Sequence, residues 1–132
     1  MVPTKIVLTK FLWLMFAGAL GTVARFGVST LTQKIFSHPF PWGTLAVNMI
    51  GCLLFGLIWS RTESQLIISG EIRFIVLVGF MGAFTTFSTF AFESAQMIRN
   101  EQWGYALANF TVQNVLGVFL IMLGLKLGRL MS

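Results

Sequence analysis

Four stretches of this chain are long, apolar and almost free of charge: Phe11 to Gln33 with Arg25 inside it, Trp42 to Ser60, Phe74 to Phe92, and Gln102 to Leu125. A helix needs about 20 largely apolar residues to cross the hydrocarbon of a bilayer, so each run is long enough to span. Composition agrees, with 56% of the 132 residues hydrophobic and 10% charged, against about 25% charged in a typical soluble domain. Too few charges remain to cover a water-facing surface. The reading is an all-α integral membrane protein, a single domain over 1–132 with four transmembrane helices at about 11–33, 42–60, 73–98 and 103–127. A secretory leader at the start is the alternative for the first run, since Lys5 and Lys10 precede it and Ala17-Gly18-Ala19 offers small residues for cleavage. Three further spans, and apolar character resuming beyond Arg25, favour a true span.

Pro39 and Pro41 separate the first two spans, because proline cannot donate a backbone hydrogen bond to a continuing helix. Arg61 to Arg73 reads as a polar loop, and Arg99 to Gln102 as a tight turn. Lys5, Lys10, Arg61, Arg73, Lys126 and Arg129 collect at one set of span ends, with Lys34 and Arg99 at the other. That bias favours both termini in the cytoplasm of a cell whose inner membrane holds the protein. A net charge of +5 raises nucleic acid as a partner, but the nine basic residues stand singly between apolar runs and form no stripe. No nucleic acid partner is expected. The chain has no Asp, one His and one Cys, which argues against carboxylate dyads and metal clusters, and so against hydrolytic enzymes.

Polar side chains inside hydrocarbon are costly unless paired, so the few present here carry the information. Arg25 either snorkels to the interface or sets a fixed positive charge at a vestibule. Thr44 and Asn48 stand four apart on one helical face; Asn48 either ties two helices together or exposes an amide donor to a pore. The last span adds Asn109, Gln113 and Asn114. In the third, Gly79-Phe-Met-Gly82-Ala-Phe-Thr85-Thr86-Phe87-Ser88-Thr89-Phe90 is a poor helix, because glycine costs about 1 kcal/mol against alanine and hydroxyls compete for the backbone. A break is expected near Gly82 to Thr86. Freed carbonyls there would suit a cation, and the onward helix N-terminus an anion. Phe87 and Phe90, three apart, either pack conventionally or turn their positive ring edges toward a narrow path. Glu93 lies one helical turn beyond Phe90, and the residues alone assign it no role.

Three of these segments carry a family resemblance. Gly18-Ala-Leu-Gly21-Thr-Val-Ala-Arg25-Phe26, Pro41-Trp-Gly43-Thr44-Leu45-Ala-Val-Asn48-Met-Ile-Gly51, and the Gly79 to Phe90 run resemble the Fluc (CrcB) fluoride ion channels of microbes. The fourth span departs from the pattern, with Asn109 and Gln113 where many members carry Tyr and Ser. The resemblance implies a passive fluoride-selective channel that exports fluoride from the cytoplasm. It also implies an antiparallel, dual-topology homodimer with two pores in the lipid membrane. Carried over residue by residue, Phe87 and Phe90 contact fluoride, Asn48 supplies an amide donor with Thr44 near it, and Ser88 and Thr89 line the path beyond the rings. Arg25 belongs to the vestibule, with Glu93, Asn109 and Gln113 along the polar track. Backbone carbonyls of Gly82 and Thr85 from two subunits hold a structural sodium ion at the dimer interface.

Two other classes compete. A small multidrug exporter has a similar span count but uses a membrane-embedded glutamate for cations, whereas the charge deep in the first span here is Arg25. In a membrane scaffold, Asn48, the glycines and the hydroxyl run would do no more than knit helices together.

Overall fold

The computed structural model describes residues 4–63 and 68–131. All the regular structure among them is helical: α1 (Thr4–Ile35), α2 (Trp42–Glu63), α3 (Gly70–Phe74), a π-helical stretch (Ile75–Met81), α4 (Gly82–Phe84), α5 (Phe87–Arg99) and α6 (Trp103–Leu130). Four of the resulting rods, Ile6–Ile35, Trp42–Glu63, Gly70–Arg99 and Trp103–Leu130, are long and apolar enough to cross a membrane. The chain is a multi-pass membrane protein. Every rod outruns its apolar core, because charged ends such as Lys34, Arg99 and Arg129 lengthen a helix without having to enter hydrocarbon. The 32 residues of α1 reach about 48 Å at 1.5 Å per residue, well beyond the hydrocarbon thickness.

Contacts at the two ends show the rods running in alternating directions. Lys10 of α1 pairs with Glu71 at the start of α3. Arg73 stacks 4.9 Å over the Trp59 ring near the end of α2, and Gly128 of α6 lies against Ser60. At the opposite end His38 and Tyr105 meet edge to face with centroids 5.6 Å apart. The polar loop expected over Arg61 to Arg73 is shorter than its composition suggests: α2 continues to Glu63, and Ser69 caps α3 by accepting from the Ile72 N–H. Residues 64–67 lie outside the described residues, as does the side chain of Lys5.

Both remaining connections are held by named bonds. Gln33 donates from Nε2 to the carbonyls of His38 (3.1 Å) and Phe40 (3.3 Å) and accepts the Gly43 N–H (3.2 Å), so one amide satisfies the proline-rich turn. After α5, Glu101 takes φ 59°. The N–H groups of Glu101 and Gln102 return to the carbonyls of Ile98 and Met97, at 3.0 and 2.8 Å. This is a Schellman closure with glutamate in the left-handed position that glycine usually fills.

Close backbone approach sets the packing. Side chains added at Gly56 and Gly124 would run into backbone atoms of the opposite helix, Ile121 O and Leu53 O, so α2 and α6 touch main chain to main chain. Gly21 of α1 meets the Phe80 carbonyl of the π stretch in the same way. Between these seams lies a small core of Val47, Leu77, Met81 and Phe84. Much of the remaining apolar surface faces outward, as with Val23 and Phe26 on α1, the expected arrangement where lipid or another subunit is the surroundings.

Candidate functional site

The site grows from two residues that leave the helix. Thr85 (φ −87°, ψ 160°) and Thr86 (φ −149°, ψ 111°) are extended, so the third span changes from α4 to α5 across them. The Thr85 N–H still reaches Met81 O at 3.0 Å, and its hydroxyl donates to the same carbonyl at 3.0 Å. The Thr86 N–H turns away to Asn48 Oδ1, 2.8 Å. Asn48 Nδ2 in turn donates to Thr86 O, 3.1 Å. One side chain of α2 thus pairs with both backbone groups of Thr86, as a neighbouring strand would. Gly51, one turn further along α2, allows this approach, because a side-chain carbon there would fall on Thr85 Cγ2. Thr86 also caps α5, its hydroxyl accepting from the Thr89 N–H at 3.3 Å.

From Asn48 a chain of side chains crosses to α6 and returns to α5. Asn48 Nδ2 donates to Gln113 Oε1 (2.9 Å), Gln113 Nε2 to Asn109 Oδ1 (3.3 Å), and Asn109 Nδ2 to Ser94 Oγ (3.0 Å). Ser94 closes the run by donating to the Phe90 carbonyl at 2.8 Å. Asn109 is fully buried and Gln113 nearly so. Such a connected polar chain is tolerable in an apolar bundle because each member has partners.

Two cavities flank this chain. The inner one, about 350 Å³, is lined by Asn48, Thr86, Phe87, Phe90 and Gln113 among others. Its two rings stand 5.6 Å apart at a tilt of 57°. Phe90 is buried against Phe110, whereas Phe87 is 78% exposed. The outer cavity, about 630 Å³, opens at the end bearing Lys34 and runs to Thr44 and Glu93. There the Thr44 hydroxyl donates to Glu93 Oε1 at 2.7 Å. The other carboxylate oxygen of Glu93 is buried and has no partner among the described residues. Thr44 and Asn48 are one turn apart on α2, so the two cavities follow consecutive turns of one helix.

The structure brings Thr44, Asn48, Phe87, Phe90, Glu93, Asn109 and Gln113 together. Arg25 is half-buried on α1 and lines neither cavity. Ser88 and Thr89 are exposed, Thr89 bonding to Thr86 Oγ1 at 2.9 Å. Gly82 is exposed, and the Thr86 N–H, which would bond its carbonyl in a continuous helix, is committed to Asn48. Sequence reasoning passed over Ser94. It follows Phe90 by four residues and precedes Met97 by three, the spacing of a single helix face, and that pattern marks it. Among the described residues no group of three His, Cys, Asp or Glu could hold a metal ion.

Comparison with known proteins bears on the same segments. The sequence profile of the family described as CrcB-like protein, Camphor Resistance (CrcB), matches residues 12–125. A protein of Nitrosococcus oceani named fluoride-specific ion channel FluC is 50% identical over 121 residues, covering 92% of this chain and 97% of that protein. Proteins of the same name from Desulforapulum autotrophicum and Maridesulfovibrio salexigens are each 48% identical over 121 residues, covering 92% of this chain and 97% and 96% of their own lengths.

Proposed function

The chain belongs to the CrcB family, and from that premise we propose that it is a passive fluoride channel of the cytoplasmic membrane, carrying fluoride outward and so reducing its toxicity. The observation that carries this reading is the inner cavity. A backbone released from helix geometry, two phenyl rings and a buried amide chain converge on one small space at mid-span. An aromatic ring has a positive edge and a negative face. Edges of Phe87 and Phe90 turned to the path attract a small hard anion without a full positive charge, so the ion is held loosely enough to leave. Ser88 and Thr89 add hydroxyls beyond the rings, Thr44 lies on the path toward the outer cavity, and Arg25 contributes a positive potential from α1. Fluoride is the anion of a weak acid. It enters a cell as neutral HF in acidic surroundings and is trapped as the ion near neutrality, so a downhill pore suffices and no catalytic step is required.

The reading includes an antiparallel, dual-topology homodimer with two pores, since a polar cavity bordered by a phenyl ring that is 78% exposed is a half-enclosed path in a single copy. It also includes a structural sodium ion. The donor set fits a hard cation, because the Gly82 carbonyl loses its helical donor when the Thr86 N–H pairs with Asn48. Carbonyls of Gly82 and Thr85, repeated from the second copy, would hold it. Bound there, it would neutralise converging carbonyl dipoles and lock the crossing of the two third spans.

Purified protein reconstituted in liposomes and followed with a fluoride electrode tests the reading. The expected result is rapid fluoride loss with negligible chloride loss. Phe87→Ile and Phe90→Ile should each cut fluoride flux by about tenfold or more, the loss of about 1.4 kcal/mol of barrier lowering, with the dimer still assembled. Unchanged flux in both would reject the ring-edge mechanism. Proton-coupled organic-cation transport would identify an exporter instead, and neither activity a scaffold.

A further inference from the structure

Helix α1 and the start of the third span touch at two levels and stand apart between them. Toward the middle of the bundle they meet closely. A side-chain carbon at Gly79 would lie 3.0 Å from Ala17 Cβ, and one at Gly21 would strike the Phe80 carbonyl. At the end that carries the N-terminus, the Lys10–Glu71 ion pair joins them. Between these contacts lies a groove of about 980 Å³, lined by Trp13, Phe16 and Leu20 of α1 and by Ile72, Ile75 and Val76 of the third span. Lys10 and Glu71 supply its charge. The groove is open along one side, with Trp13, Phe16, Leu20 and Ile72 each about half exposed.

Its depth and its chemistry are those of one lipid molecule. From Lys10 to Leu20 α1 rises about 15 Å, half of the roughly 30 Å hydrocarbon core, so the groove runs from one interface to mid-bilayer. Trp13, one turn below Lys10, stands at the level that indole rings favour, between headgroups and chains. At the mouth both charges keep capacity to spare. Lys10 Nζ has three protons and gives one to Glu71 Oε1, while Glu71 Oε2 has no partner among the described residues. A headgroup that satisfies both must carry an anionic oxygen and a cationic N–H side by side. Phosphatidylethanolamine does. The choline headgroup has no N–H to donate to Glu71, and phosphatidylglycerol sets a net negative charge beside that carboxylate.

We propose that this groove is a binding site for phosphatidylethanolamine, with an acyl chain lying between α1 and the third span, the phosphate on Lys10 and the ammonium on Glu71. The lipid supplies the packing that the two helices lack above Ala17 and Gly79, and so holds the start of the third span against α1. The site is independent of which ion the protein conducts. None of its lining residues lines the inner or the outer cavity, so a second copy that encloses the inner cavity has no need to cover it.

Two measurements on the full-length protein test it. In the first, native mass spectrometry reads the lipid retained by protein released from nanodiscs holding equal parts of phosphatidylethanolamine, phosphatidylcholine and phosphatidylglycerol. Phosphatidylethanolamine should exceed each of the others by about threefold or more, the scale of one exposed charge pair. Glu71→Gln, a change at an exposed position, should abolish the preference over phosphatidylcholine. The second needs no variant: wild type in vesicles of phosphatidylethanolamine doped with the same lipid bearing a diazirine on its acyl chain is irradiated and the adducts are mapped. They should fall on Trp13 to Leu20 and on Ile72 to Val76. Equal retention of the three lipids, a preference unchanged in Glu71→Gln, or absence of adducts from both segments, as when a second copy covers them, overturns the proposal. The fluoride reading stands or falls separately, on efflux.

Discussion

Helix α2 makes two kinds of contact, and they follow opposite rules. Against α6 it packs through Gly56 and Gly124, backbone to backbone. Against the third span it packs through Asn48, which bonds two main-chain groups that have left the helix. At the level of Gly56 and Gly124 the first seam is dense and needs no polar partner, since the N–H and C=O groups there are satisfied within their own helices; its polar tie, Asn48 to Gln113, lies at the level of the second seam. The second is specified by hydrogen bonds and leaves an open space beside it. A bundle whose helices spanned the membrane unbroken could have used the first kind of seam throughout. Using the second at one level of α2 concentrates irregular backbone where a polar path can use it, while the glycine seam keeps the rest rigid.

Substitutions that attack each seam in turn separate these rules. The largest effect is expected from Gly124→Leu, whose side chain would meet the Leu53 carbonyl and the Leu57 N–H of α2. Main-chain atoms cannot step aside, so a cost of about 3 kcal/mol or more, the top of the range for overpacking, should appear as loss of assembled protein on size-exclusion chromatography. Asn48→Leu comes next. It leaves the buried N–H and C=O of Thr86 unpaired, costing about 2–4 kcal/mol, seen as a lower thermal unfolding midpoint in detergent together with lost fluoride efflux. Smallest is Gly51→Ala, at about 1–2 kcal/mol, because the one clash its new carbon makes is with the Thr85 methyl, Phe84 lying at ordinary contact distance. Adding Thr85→Ser removes that methyl and should recover most of the stability. Failure of the double variant to recover would show that Gly51 does more than make room for Thr85.

Much of this arrangement is legible in the residues. The four spans follow from hydropathy alone, and the weak helix propensity of Gly82 to Thr86 points to the stretch where Thr85 and Thr86 are extended. What the sequence hides is pairing across spans. Asn48 could bond any of its neighbours; that it pairs with Thr86 and Gln113 depends on how deeply α2 sits against both. Asn109 and Gln113, four apart, show a polar face on α6, but their role as a relay to Ser94 needs α5 at the right rotation. The ends of the rods were also beyond composition, because helix continues through charged residues at the interface as easily as through apolar ones.

The π-helical stretch from Ile75 to Met81 gives the third span a property of its own. Its Gly82 N–H reaches back five residues to Leu77 O, so the winding there is wider than the 3.6 residues per turn that precede it. A helical wheel drawn in one phase from Gly70 to Arg99 therefore puts later side chains on the wrong azimuth. The stretch acts as an angular offset between the stripe that docks on α1 and the edge that confronts α2. Removing one residue inside it would not simply shorten the rod; it would change that offset and move everything downstream to another azimuth, carrying the threonine pair away from the asparagine that holds it.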